Sequence, residues 1–227
     1  MSSIFLVLAQ KFRREVSPTR SGPTAVTNQT GILEKLVNWI ADADEAIQSM
    51  YFDWQFMWAQ FSASTVAGTK DVTKPSDLGI WDTDSFYLDR TLTTYKKLTE
   101  YDYFKWRTNL RNGPKTNDKP TYFIIGPDDN IILESPPDAI YTLTADYYKT
   151  PTRLAANTDT SPIPSRFERI IIAKAKIYYG QDQGAPDLVA AGMNEYRELL
   201  QRMEAQYLRG QKARMKGTDE NMVVVPE

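Results

Sequence analysis

The second half of the chain changes hydrophobic period once, and that change limits the possible folds more than any other feature. From Ile140 to Tyr148 the side chains alternate. Tyr141, Leu143, Ala145 and Tyr147 fall on one face, and Thr142, Thr144, Asp146 and Tyr148 on the other. A period of two puts successive side chains on opposite sides of an extended chain, so this stretch reads as a half-buried antiparallel strand. After a polar loop the spacing becomes helical. Pro164 suits a first helical turn, Phe167, Ile170, Ile171, Lys174 and Ile177 mark the faces, and Gly180 reads as the end. Pro186 opens a second helix with Leu188, Val189, Tyr196, Leu199, Leu200, Met203, Tyr207 and Leu208. Its exposed side carries a Glu198–Arg202 pair, and Gly210 is placed to cap it. The short connection predicts an antiparallel two-helix hairpin.

Upstream, Tyr122–Ile125 and Ile131–Glu134 flank the turn sequence Gly126-Pro127-Asp128-Asp129-Asn130 and predict a β-hairpin, ended by Ser135-Pro136-Pro137. Ile4, Leu8 and Phe12 predict an amphipathic helix over Ser3–Val16, followed by a Ser/Thr/Pro/Gly-rich loop over Ser17–Thr30. A second helix starts at Thr30 or Gly31. Its stripe is Ile32, Leu36, Val37, Ile40, Ile47 and Met50, with Asp42, Asp44 and Glu45 mostly off it. Alternating aromatics from Trp54 predict a strand over Gln55–Thr65. Lys70–Leu88 reads as turns with an acidic cluster, Thr91–Tyr101 as a strand, and Asp102–Asn109 as a short helix. The expected class is α+β, a helical bundle with an antiparallel β block. Residues 1–50 hold the N-terminal helices, 51–160 the β-rich block, 161–210 the helical hairpin and 211–227 an extended tail.

The chain has no cysteine and no histidine, which excludes disulfides, Cys- or His-based metal sites, and Ser-His or Cys-His catalysis. Carboxylate, Lys, Tyr and Mg²⁺ chemistry stay open. Asp82 and Asp84 with Asp89 offer hard oxygens for Mg²⁺, but no phosphate loop or base accompanies them, and a solvated turn is the better reading. Asp128-Asp129-Asn130 resembles part of a calcium loop without its remaining ligands, so a hairpin turn is preferred. Tyr147-Tyr148 offers rings for stacking on a base, but core plus surface fits the strand pattern better. No catalytic, cofactor or metal site is expected. A net charge of −2 gives no global basic field for nucleic acid. The N-terminal apolar run Ile4–Ala9 precedes its positive charges, unlike a signal sequence, and no segment has the length of a membrane span. The chain is expected to be soluble and cytoplasmic. The C-terminal stretch carries Lys212, Arg214 and Lys216, then Met222, Val223, Val224 and Val225. It reads either as a loose terminus or as a tether whose β-branched run adds as a strand to another protein's sheet.

The run PTYFIIGPDDNIILESPPDAIYTLTADYYKTPTRLAANTDTSPIPSRFERIIIAKAKIYYG resembles the adaptor proteins of tailed bacteriophages that join portal to tail. The resemblance rests on a Pro-x-Tyr strand (Pro120, Tyr122), an Asn-led strand ending at Pro-Pro (Asn130, Ile132, Pro136, Pro137), and an alternating strand ending Asp146-Tyr147-Tyr148. An Ile163-Pro164 helix start and the helix through Phe167, Ile171 and Ala175 complete it. The order helix, Asp-Trp, strand between Leu36 and Phe61 looks similar too. The resemblance implies a structural virion protein: a ring of twelve copies beneath the portal, with genomic DNA passing through without specific binding. It also implies portal and tail or tail-completion proteins as partners, no membrane, and a C-terminal tail that docks on the portal. A tail-completion or minor tail protein is the alternative, and a Mg²⁺- or carboxylate-dependent enzyme the weaker one.

Overall fold

The computed structural model describes residues 3–89, 95–109, 111 and 116–208. Its helices are α1 (Phe5–Val16), α2 (Ile32–Gln48), α3 (Tyr103–Asn109), α4 (Arg169–Asp182) and α5 (Pro186–Tyr207). Its strands are β1 (Trp58–Ser64), β2 (Asp71–Val72), β3 (Leu78–Leu88), β4 (Lys96–Lys97), β5 (Thr99–Glu100), β6 (Tyr122–Ile125), β7 (Ile131–Leu133) and β8 (Thr142–Lys149). The class is α+β. Contacts divide the chain into two compact units: one from residues up to Met57 together with those from Pro151 onward, the other from Trp58 to Thr150. The Gly210 cap and residues 211–227 lie outside the described residues. Among the described residues no helix is long and apolar enough to cross a membrane.

The first unit is helical. Phe5, Leu8, Ala9 and Phe12 recur at helical spacing and give α1 one buried stripe, while Arg13 and Arg14 sit in its last turn, where the helix dipole favours cations. On α2 Leu36, Val37, Ile40 and Ile47 of the expected stripe are buried, whereas Ile32 is half-buried and Met50 lies exposed beyond the helix; Asp44 and Gln48 are buried as well, against the reading that placed Asp44 off the stripe. α4 packs against α1, α2 and α5. It is apolar on several faces, with Ile170, Ile171, Ile172, Ala173, Ala175 and Ile177 all buried.

Gly180 does not end α4. It lies inside the helix, because Val189 of α5 comes so close that a Cβ at Gly180 would sit 2.8 Å from Val189 Cγ2. Gly192 performs the same service from α5, where a Cβ would lie 3.0 Å from Ile177 Cγ1. Residues that meet across the two helices therefore run in opposite order along them. The turn between them passes through Gly184 at φ +62°, a left-handed conformation that glycine adopts without a Cβ penalty.

The second unit holds two sheets, ordered β1-β8-β3-β4 and β2-β7-β6-β5. All pairings are antiparallel except β5 with β6. The sheets share one core in which Phe86 and Phe123 stack with ring centroids 3.8 Å apart. β6 and β7 form the expected hairpin, and β8 is the expected alternating strand.

Three expectations change here. Gln55–Met57 is a 3₁₀ turn, so β1 begins only at Trp58. Lys70–Leu88 is not a run of turns, since β3 occupies eleven residues of it. The pairing with β8 slips between Asp82 and Tyr87, and this bulge interrupts the alternation that would have marked a strand. Ser85 fills the gap: Asp146 N–H donates to its Oγ at 2.7 Å. The strand expected over Thr91–Tyr101 is reduced, within the described residues, to the two-residue strands β4 and β5 around buried Leu98.

Candidate assembly interface

The last described residues are held by an aromatic cluster. Leu208 forms an antiparallel bridge with Trp54. Trp54 is fully buried, its indole N–H donates to Ile47 O at 3.0 Å, and its ring stacks on Phe56 and meets Tyr51 edge-on. Tyr207 meets Phe56 and Phe167 edge-on, at centroid distances of 5.9 and 6.0 Å. Arg166 lies over the Tyr207 ring and donates to its Oη at 2.9 Å. Tyr51 Oη donates to Glu204 Oε1 at 2.8 Å, a bond that holds the phenol above its usual pKa. Aromatic contacts of this kind contribute about 0.5–1.5 kcal/mol each beyond area burial. The described chain is therefore fixed in place at Leu208.

A four-residue ionic clamp fixes α5 to the rest of the unit. Lys176 of α4 reaches Glu15 of α1 at 3.0 Å and Glu195 of α5 at 3.1 Å, and Arg169 pairs with the same two carboxylates. The Lys176 side chain is only 13% exposed, so these pairs are less screened than those of an open surface. Burial pushes the Glu195 carboxyl up, but its bonds from Arg169 and Lys176 outweigh that and hold it below the usual range.

The loop before α4 is tied to α2 by a buried polar network. Ser161 Oγ donates to Asp44 Oδ1, and Gln48 Nε2 donates to Asp44 Oδ2 at 2.7 Å and to Thr152 O at 3.1 Å. Thr152 N–H donates back to Gln48 Oε1 at 2.9 Å. Asp44 has no solvent exposure, and burial pushes its pKa up to about 6 against the lowering effect of both hydrogen bonds.

Lys212, Arg214, Lys216, Met222, Val223, Val224 and Val225, the residues expected to dock, lie outside the described residues. The acidic residues do not converge. Asp82 Oδ1 accepts from Asp84 N–H in the β3 bulge, Asp84 pairs loosely with Lys97, and Asp89 accepts from Thr142 N–H and pairs with Lys119. Among the described residues no three Asp or Glu side chains gather as a metal-holding group. Asp128 caps its own turn by accepting from Asn130, and Asp129 takes the left-handed position at φ +62°. Tyr147 donates to Asp77 at 2.8 Å from the core side of β8. Its burial and that bond push the phenol up to about 12. Tyr148, the next residue, points to the other face, and both tyrosines are buried.

The second unit also carries an open cleft of about 520 Å³ lined by Lys70, Asp71, Tyr103, Trp106, Arg111 and Ile132, among others. The sequence carries no sign of this cleft. It equally missed the Asp44 network, the Arg169–Glu195 clamp and the Trp54–Leu208 anchor. Only the first had a usable signal, an Asp and a Gln four residues apart beside an apolar stripe.

The family model described as SU10 adaptor protein matches residues 5–220. A search of curated protein sequences finds no match at a significant level.

Proposed function

The chain belongs to the SU10 adaptor protein family, a phage head-to-tail adaptor family, and on that premise we propose that it forms a ring of twelve copies beneath the portal. A phage adaptor is a structural protein, and the family is not an enzyme family. In the proposed ring each copy joins capsid to tail, contacts portal protein on one side and tail or tail-completion proteins on the other, and leaves a lumen for the genome. The protein is assembled in the host cytoplasm and ends in the virion at the head–tail junction. No catalytic group, cofactor or metal is assigned to it.

The anchored root at Leu208 is the observation that supports a docking tail. A segment meant to reach a partner gains affinity when its base is rigid, because less freedom is lost on binding. Lys212, Arg214 and Lys216 supply charge for the approach, and Met222, Val223, Val224 and Val225 supply a strand-forming end that pairs with the portal. A net charge of −2 fits a lumen past which DNA slides, since tight binding needs many phosphates neutralised.

Binding of the full-length protein to purified portal, followed by electron microscopy, tests the reading. A ring on the portal supports it. A bare portal, with the protein bound instead to tail tube protein, would favour a tail-completion or minor tail role.

A further inference from the structure

Each sheet of the second unit has two edges, and they are treated differently. β2 and β5 edge one sheet and β4 edges the other. Each is two residues long and carries charge: Asp71, Glu100, and Lys96 with Lys97. Short, charged edges are how proteins discourage another chain from adding a strand. β1, the remaining edge, has none of these guards. It is seven residues long and reads Trp-Ala-Gln-Phe-Ser-Ala-Ser, and the sequence from Trp58 to Thr69 contains no charge and no proline.

The ladder shows which groups β1 presents. Thr65 N–H donates to Tyr141 O at 2.8 Å, in register with the β1–β8 pairs from Trp58↔Tyr148 to Ser64↔Thr142. Hydrogen-bonded and non-hydrogen-bonded pairs alternate in an antiparallel ladder. Ala63, Phe61 and Ala59 therefore bond to β8, and the N–H and C=O groups of Gln60, Ser62 and Ser64 point out along an edge that no other strand among the described residues pairs with. Those three side chains are exposed.

We propose that the edge of β1 takes up, as an added strand, the segment Met222–Val225 of a second copy of this chain. The inference rests on reading that segment as a donor strand, and it adds an acceptor other than the portal: a second copy holds the segment in solution, and the portal takes it on docking. Two observations favour this occupant. The segment is an uncharged, β-branched match for an uncharged edge, and Val has high strand propensity. The residues between Leu208 and Met222 span on the order of 45 Å when extended, a reach that allows the segment to meet a neighbouring copy. Donor and acceptor are different surfaces of one chain, so the contact is head-to-tail, the kind that builds rings or open filaments.

The natural chain has no cysteine, so single thiols report contacts cleanly. Full-length S62C protein is mixed with full-length V223C or V224C protein, the two donor positions covering both strand faces. The mixtures are oxidised and resolved without reductant. Mixed disulfide dimers are expected with at least one donor, together with loss of these dimers when Gln60→Lys is added to the S62C copy. Absence of mixed dimers with both donors overturns the proposal. So does a predominance of S62C self-dimers, which would mean β1 pairs with β1, or a link formed only within single chains of an S62C/V224C double variant. Unchanged cross-linking with Gln60→Lys in place also counts against it. Portal binding by protein lacking residues 211–227 separates the two claims: if binding persists, the docking reading fails, whereas missing cross-links with that binding lost condemn only the β1 acceptor.

Discussion

Trp54 and Leu208 form an antiparallel bridge that closes the first unit around the base of its C-terminal segment. The two residues are far apart in sequence, and the buried indole couples the end of α2 to the end of α5 through its bond to Ile47 O. Trp54→Ala removes the stacked ring from the cluster and is expected to cost about 3–5 kcal/mol. Thermal and urea unfolding of the variant measure this. A loss below about 1 kcal/mol would mean that the aromatic cluster does not hold the base of the segment.

Asp44 makes stability fall with rising pH. Its carboxyl keeps its proton up to about pH 6 in the folded chain, against an ordinary value of 3.8, so between these values the folded state binds the extra proton. The contribution is fully present below about pH 4, is lost as pH rises to about 6, and amounts to roughly 3 kcal/mol. Asp44→Asn keeps an oxygen for Gln48 and turns its NH₂ toward Ser161, whose hydroxyl can accept. The variant should lose this slope and be more stable than the natural chain at pH 7 by about 1–3 kcal/mol. Denaturant unfolding of both proteins from pH 4 to 8 compares the two curves.

Gly180→Ala sets two effects against each other. Alanine favours a helix interior over glycine by about 1 kcal/mol. The added Cβ, however, would lie 2.8 Å from Val189 Cγ2 and 3.0 Å from Val189 N. The backbone contact cannot yield as a side-chain tip can, so the substitution is expected to destabilise by about 1–3 kcal/mol. A raised melting temperature would show that α5 moves away without cost.

The clamp around Lys176 should be sensitive to substitution. Lys176→Met leaves Glu15 and Glu195 with Arg169 alone and is expected to cost about 1–2 kcal/mol, between the values for open and buried pairs. Thermal unfolding at low and high salt checks the assignment, and the gap between natural and variant protein should narrow as salt rises.

Fold legibility followed pattern length. α1, α2, α5, the β6–β7 hairpin and β8 are readable because one period runs unbroken through each. β3 was hidden because its bulge at Asp82–Tyr87 shifts the alternation midway, and its aspartates suggested a turn. Gly180 misled because a glycine that ends a helix and one that admits a neighbouring helix look alike in sequence. The discontinuous helical unit depends on long-range contacts such as Glu15 with Arg169, which no local pattern carries. The family was more legible than the tertiary detail: the run from Pro120 to Ala175 pointed to phage adaptors, whereas the Trp54–Leu208 anchor and the edge position of β1 needed the structure.

Tail docking within a twelve-copy ring is the central claim, and electron microscopy with mass measurement on purified portal tests it most directly. Full-length protein should add a ring of twelve copies to the portal, and protein lacking residues 211–227 should stay folded yet leave the portal bare. Rings that form equally well without those residues, or a full-length protein that never joins the portal, would contradict it.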